Sequence, residues 1–213
     1  MSNARETGHD AGVMRNEICH KADIAVKPVP REPLAYAAMA AIACAVAAAS
    51  LIAAPGLPGF FGAALGLLML AIAVIDARSF IIPNWLTAAA LALGLANAAG
   101  EGYGSVLDNL LGAALRGILL SLAFYALREA YYRLRHRHGI GLGDVKLAAA
   151  AGAWLDWTLI PLSVEIAALA AIASYAVNQL MRRRPLDSAA KLPFGLFFAP
   201  AIWFCWLAGK AML

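Results

Sequence analysis

Long, continuous apolar runs constrain this chain more than any other feature. Leu34 to Ala54 contains no charged residue, and neither does Pro58 to Ile75. Five more runs follow: Trp85–Ala99, Val106–Tyr132, Asp144–Ile160, Pro161–Met181 and Pro193–Met212. Apolar stretches of about 17 to 25 residues read as membrane helices. A membrane barrel would instead need shorter segments of alternating polarity. The chain is 62% hydrophobic and 14% charged, where a soluble domain has about 25% charged residues. The expected fold class is all-α, a polytopic transmembrane helical bundle. The weakest boundary lies between the fifth and sixth runs, where Trp154, Asp156, Trp157 and Pro161 suggest an interfacial turn. Residues 1–33 are polar and proline-containing, and read as a disordered cytoplasmic tail ahead of a membrane domain over 34–213.

Charge placement orients the runs. Arg78 follows the second, Arg133, Arg135 and Arg137 follow the fourth, and Arg182, Arg183 and Arg184 follow the sixth. The N-terminal tail adds Arg5, Arg15, Lys21, Lys27 and Arg31. With seven spans, all of these share one face, which the positive-inside rule makes cytoplasmic. Glu101, Asp108 and Asp156 fall on the other face. Lys210 is an exception that snorkels outward, and Arg116 has no obvious place in this scheme. The basic residues lie beside apolar runs, as membrane anchors do, and nothing points to nucleic acid. Cys19, Cys44 and Cys205 form no C-x-x-C pair, so neither a zinc site nor a disulfide framework is indicated. The expected orientation places the N-terminus on the cytoplasmic side of the membrane.

Two acids stand out. Asp76 closes the second run, and Asp144 opens the fifth within Gly141-Leu142-Gly143-Asp144-Val145-Lys146. Ionisable groups at a membrane are expensive and mark function by default. The topology puts both at the cytoplasmic boundary. Two carboxylates that share a proton are suited to peptide hydrolysis: one activates a water while its protonated partner polarises the scissile carbonyl. The proton belongs to the pair, so which acid plays which part stays open. Gly141 and Gly143 leave the backbone free for strained geometry or a close approach. Pro83 fixes the start of the third helix, and Asn84 or Asn97 is a candidate to satisfy backbone groups there. Lys146, beside Asp144, is placed to meet a lipid phosphate or to tune the pair.

Asp76 leading to Ile82-Pro83-Asn84, then Gly141-x-Gly143-Asp144-x-Lys146-Leu147, then Pro193-Phe194-Gly195 resembles the type IV prepilin leader peptidases. These are GxGD-type membrane aspartic peptidases, and the resemblance covers about residues 60–205. It implies a six-helix core to which the first run is an addition. It also implies an endopeptidase that removes the basic leader of prepilins or pilin-like secretion subunits at the cytoplasmic face, with Asp76 and Asp144 as the catalytic pair. Pro193, Phe194 and Gly195 are then expected to line the site. Larger members carry an insert with two C-x-x-C pairs and methylate the new N-terminus. This chain lacks such pairs, and its stretch from Ala77 to Trp85 is too short for the insert. It resembles the short peptidase-only branch tied to tight-adherence (Flp-type) pili. No metal, nucleotide or organic cofactor is implied; the partners are the substrate leader and the bilayer.

The competing readings are a non-catalytic assembly partner and a small proton-coupled transporter. A transporter holds its acid near the midplane, often between repeated halves, whereas these acids sit at the edge. Glu165 reads as structural or as hydrogen-bonded to a neighbouring helix, and Glu129 as a partner of Arg128 or Arg133. His136 and His138 lack a third metal ligand nearby. Trp154, Trp157, Trp203 and Trp206 read as interfacial anchors or core.

Overall fold

The computed structural model describes residues 33–102, 104–136, 139–182 and 193–212. Among them are seven helices and no strand: α1 (Pro33–Ala53), α2 (Leu57–Ser79), α3 (Asn84–Ala99), α4 (Val106–Arg135), α5 (Leu142–Trp154), α6 (Leu159–Arg182) and α7 (Phe194–Ala211). The chain divides into two units, Met1–Met39 and Ala40–Leu213. Of the first, only the helical stretch Pro33–Met39 is described; the expected tail otherwise lies outside the described residues. The second holds the bundle. Five helices (α1, α2, α4, α6 and α7) are long and apolar enough to cross a membrane.

Local chemistry explains where the helices start and stop. Gly56 takes φ 89° and ψ −153° ahead of α2, a conformation open only to glycine. Pro58 follows near the helix start, where its missing N–H costs nothing. At the other end, α2 runs on through Asp76 to Ser79, one turn beyond its apolar run. Phe80 then turns left-handed at φ 54°, and its N–H donates to the Asp76 carbonyl at 2.9 Å. Ser105 caps α4, its Oγ accepting from the Leu107 amide at 3.2 Å.

The fifth run departs most from expectation. It was expected to reach Ile160 as one helix, yet α5 stops at Trp154 after 13 residues. Leu155 is extended, Asp156 and Trp157 are exposed, and α6 begins at Leu159, with Pro161 inside its first turn. At 1.5 Å per residue, α5 covers about 20 Å, short of a hydrocarbon core of about 30 Å. It is instead the enclosed centre of the bundle: Leu147, Ala148, Ala150 and Ala151 are fully buried. It packs against α3, α4 and α7, while α2 and α6 pack on α7.

Small residues make that centre possible, because lipid supplies no hydrophobic drive and helices must gain by close packing. A Cβ on Gly152 would lie 2.5 Å from the Arg116 carbonyl oxygen, and one on Gly117 would lie 2.8 Å from that of Ala149. The α4 and α5 backbones therefore touch. Arg116, unplaced by sequence, donates from Nε to the Gly152 carbonyl at 3.2 Å. Trp154 and Trp206 are core residues, meeting edge to face at 6.3 Å. The Trp154 indole donates to the Ala90 carbonyl at 2.8 Å. Trp203 donates to Ser50 Oγ at 3.0 Å, tying α7 to α1.

Candidate active site

Asp76 sits in the last turn of α2 and Asp144 in the first turn of α5; both are buried. The two carboxylates line one open pocket of about 250 Å³, together with Ile82, Asn84, Gly141, Gly143 and Lys146. The pocket lies where the C-terminus of α2 meets the N-termini of α3, α5 and α7. Its rim carries exposed apolar side chains: Phe80, Ile81 and Leu142.

Each carboxylate is held by backbone. Asp76 Oδ2 accepts from the Leu196 amide at 2.9 Å, and the Gly195 amide also bonds this side chain. These are free N–H groups of the first turn of α7, so Asp76 satisfies a helix N-terminus from a different helix. Asp144 Oδ2 accepts from the Gly141 amide at 3.2 Å, closing the loop before its own helix. One oxygen of each acid is thus anchored by a hydrogen bond from a backbone N–H.

The glycines serve close approach rather than strain. Gly141 has φ −74°, open to any residue, and Gly143 is helical. A Cβ on Gly143 would meet Ile82 at 3.0 Å. A Cβ on Gly195 would lie 2.9 Å from Asp76 Oδ2 and 2.7 Å from Ile82 Cδ1. Ile82 is the wedge between the first turns of α5 and α7; the sequence offered it only as the first residue of Ile82-Pro83-Asn84.

The remaining expectations separate. Pro83 stands at the N-cap of α3, as expected, its carbonyl accepting from the Leu86 and Thr87 amides. The side-chain oxygen of Asn84 accepts from Lys146 Nζ at 2.7 Å, bridging α3 to α5 across the pocket mouth. Asn97 lies at the opposite end of α3. Pro193, Phe194 and Gly195 do not line the pocket. Pro193 caps α7, Phe194 joins an aromatic cluster with Phe124 and Phe198, and Gly195 backs Asp76. Away from the site, Glu129 pairs with Arg133 at 2.9 Å. Glu165 is on an exposed face of α6, which gives no support to a bond with a neighbouring helix. His136 ends α4, and His138 lies outside the described residues.

A helical bundle of spanning length that draws two distant acids into one accessible pocket has the arrangement that a multi-pass membrane aspartic protease needs. Comparison makes the assignment particular. The model of the type IV leader peptidase family matches residues 63–176, and the chain belongs to this family. It is 35% identical to the prepilin leader peptidase/N-methyltransferase of Escherichia coli strain K12, over 76% of this chain and 68% of that protein. It is 36% identical to the leader peptidase HopD of Escherichia coli, over 63% of this chain and 86% of that one. A similar prepilin leader peptidase/N-methyltransferase from Pseudomonas aeruginosa is 32% identical, over 66% of this chain but only 47% of its own length. No solved structure matches the chain.

Proposed function

We propose that this protease is an aspartic endopeptidase of the inner membrane that removes the N-terminal leader of type IV prepilins or pilin-like subunits, including Flp-type ones, at the cytoplasmic face. Asp76 and Asp144 are its catalytic pair. The observation that carries this reading is their convergence from α2 and α5 onto one pocket. Their anchoring fits the chemistry. Backbone amides hold one oxygen of each acid, so the pair is presented in fixed positions to a water and a scissile carbonyl. The pocket is open, as hydrolysis requires, and its apolar rim suits a leader that precedes a hydrophobic segment. Lys146, tied to Asn84, shapes the mouth.

The same protein is proposed to lack methyltransferase activity. The connection between α2 and α3 is residues 80–83 alone, and the chain has no C-x-x-C pair.

The test is co-expression with a prepilin encoded in the same genome, comparing wild type with Asp76→Asn and Asp144→Asn. Asparagine keeps the amide acceptor and removes the ionisable proton, so both variants should insert normally. Leader removal is expected to fall by at least about 10²-fold in each, and the mass of the wild-type product should show an unmethylated terminus. Cleavage at wild-type rate by either variant would remove that aspartate from the mechanism. A methylated product would overturn the peptidase-only assignment.

A further inference from the structure

At the end of the bundle remote from the aspartates, a tryptophan whose indole N–H has no acceptor among the described residues shares a cavity wall with charged groups of both signs. Trp206 is 3% exposed, and its Nε1 is fully buried without a hydrogen-bond partner among the described residues. Trp206 forms part of the wall of a cavity of about 40 Å³ shared with Asn97, Glu101, Arg116, Asp156 and Lys210. An outer pocket of about 290 Å³ has Asn97, Glu101, Asp156 and Lys210 in common with it, and extends to Leu57, Pro58 and Phe61 at the start of α2.

The charges are the discriminating feature. Lys210 Nζ is 3.7 Å from Glu101 Oε1. Arg116 commits Nε to the Gly152 carbonyl and has further guanidinium donors. Two carboxylates therefore face two cations. A simple anion would meet Glu101 and Asp156, and a simple cation would meet Arg116 and Lys210. A ligand carrying one charge of each sign satisfies both sets.

Position narrows the ligand further. The cavity lies where α3 and α5 end, α2 begins and α7 finishes. Helix α2, long enough to cross a membrane, begins at this pocket and ends beside Asp76, which puts the pocket at the membrane boundary opposite the aspartates, where headgroups lie. Leu57 is 63% exposed, so the outer pocket opens beside apolar surface suited to an acyl chain.

We propose that this paired pocket binds the headgroup of a phospholipid bearing a phosphate and a primary ammonium, the phosphate held by Trp206, Arg116 and Lys210 and the ammonium by Asp156 and Glu101. The inner cavity admits an oxygen or a single water rather than a whole phosphate. The phosphate therefore sits in the outer pocket beside Lys210, and one of its oxygens, or a water it holds, enters the inner cavity to accept from Arg116 and the indole. Methylated ammonium groups cannot donate to the two carboxylates, and a glycerol headgroup leaves them unpaired.

The test is native mass spectrometry of the full-length protein in detergent with added dioleoyl-phosphatidylethanolamine, -phosphatidylcholine or -phosphatidylglycerol. The ethanolamine lipid should be retained about tenfold more tightly than either other lipid, the size of one lost charge-assisted contact. Asp156→Asn should abolish that preference, and Trp206→Phe should weaken retention of all three lipids alike. Asp156 is exposed, so its variant keeps the fold even if Trp206→Phe disturbs packing. Equal retention of the three lipids would overturn the proposal, as would an unchanged preference in Asp156→Asn. Displacement of the lipid by free phosphoethanolamine at equal concentration would overturn the lipid as the source of the headgroup chemistry.

Discussion

Gly195 and Gly143 show how much of the site rests on missing side chains. A methyl on Gly195 would press on Asp76 Oδ2 at 2.9 Å and on Ile82 at 2.7 Å, and the carboxylate would have to leave the α7 amides. A displacement of about 1 Å in a catalytic group costs about 10²-fold in rate. Gly195→Ala is therefore expected to insert normally and to cleave prepilin about 10²-fold more slowly. Gly143→Ala meets only the Ile82 side chain, at 3.0 to 3.3 Å, and Ile82 can give by a few tenths of an ångström. Its loss should stay within about tenfold, the cost of about 1.4 kcal/mol. Initial rates on one substrate compare the two, and equal losses would show that Asp76 does not depend on its seat against α7. Asp76, Asp144 and the glycines beside Asp144 were legible in sequence because acids at membrane edges and paired glycines are rare and costly. The Leu196 amide was not, since a backbone N–H carries no side-chain signal. For the same reason Pro193-Phe194-Gly195 was readable as a motif while its position behind Asp76, outside the pocket, was not. Lys146 was legible as a site residue, but its partner Asn84 is on another helix, and no periodicity reports such a bridge.

At the scale of helices, the contact between α4 and α5 limits what the bundle tolerates. The atoms facing Gly152 are backbone, the Arg116 carbonyl and the Gly117 nitrogen at 2.5 and 2.6 Å, and backbone cannot rotate away. Gly152→Ala should separate the helices and destabilise the protein by about 1–3 kcal/mol, as overpacking does. Gly112, on the same helix as Gly117, faces only a flexible Arg116 nitrogen at 3.6 Å. Gly112→Ala should be neutral or slightly stabilising, since alanine gains up to about 1 kcal/mol over glycine within a helix. Thermal unfolding in one detergent, followed by circular dichroism, measures both; a Gly152→Ala transition at the wild-type temperature would remove this contact as a determinant. Most helix limits were legible to within a few residues because charge and proline interrupt the apolar runs. Two were not. Helix α2 continues past Asp76 because the helix ends where Phe80 turns left-handed, not where polarity begins. Helix α5 stops at Trp154 because Leu155 is extended, although apolar residues continue on both sides of Asp156. Arg116 was unreadable for a related reason: its partner is a carbonyl exposed by a glycine on the neighbouring helix.

For the whole molecule, the short α5 raises the question of sidedness afresh, because a count of seven spans relied on it. Helix ends answer it without that count. The C-termini of α2 and α4 and the N-termini of α3, α5 and α7 gather at the aspartate end, and their opposite termini gather around Asp156 and Lys210. Arg78, Arg128, Arg133 and Arg135 belong to the aspartate end, whereas Glu101, Asp108 and Asp156 belong to the other. Among the described residues, Arg116 and Lys210 are the cations nearer the second end, where three acids outnumber them. The remaining asymmetry is the one that the positive-inside rule reads, and it predicts a cytoplasmic aspartate end. In a variant with Cys19, Cys44 and Cys205 replaced by serine, Leu142→Cys and Trp157→Cys place single thiols at exposed positions on the two ends. A membrane-impermeant maleimide should label Trp157→Cys in intact spheroplasts and Leu142→Cys only in inverted vesicles. The reverse pattern would put the aspartates on the outer face, where a leader still held in the cytoplasm could not reach them, and cleavage would have to follow export of the substrate's N-terminus.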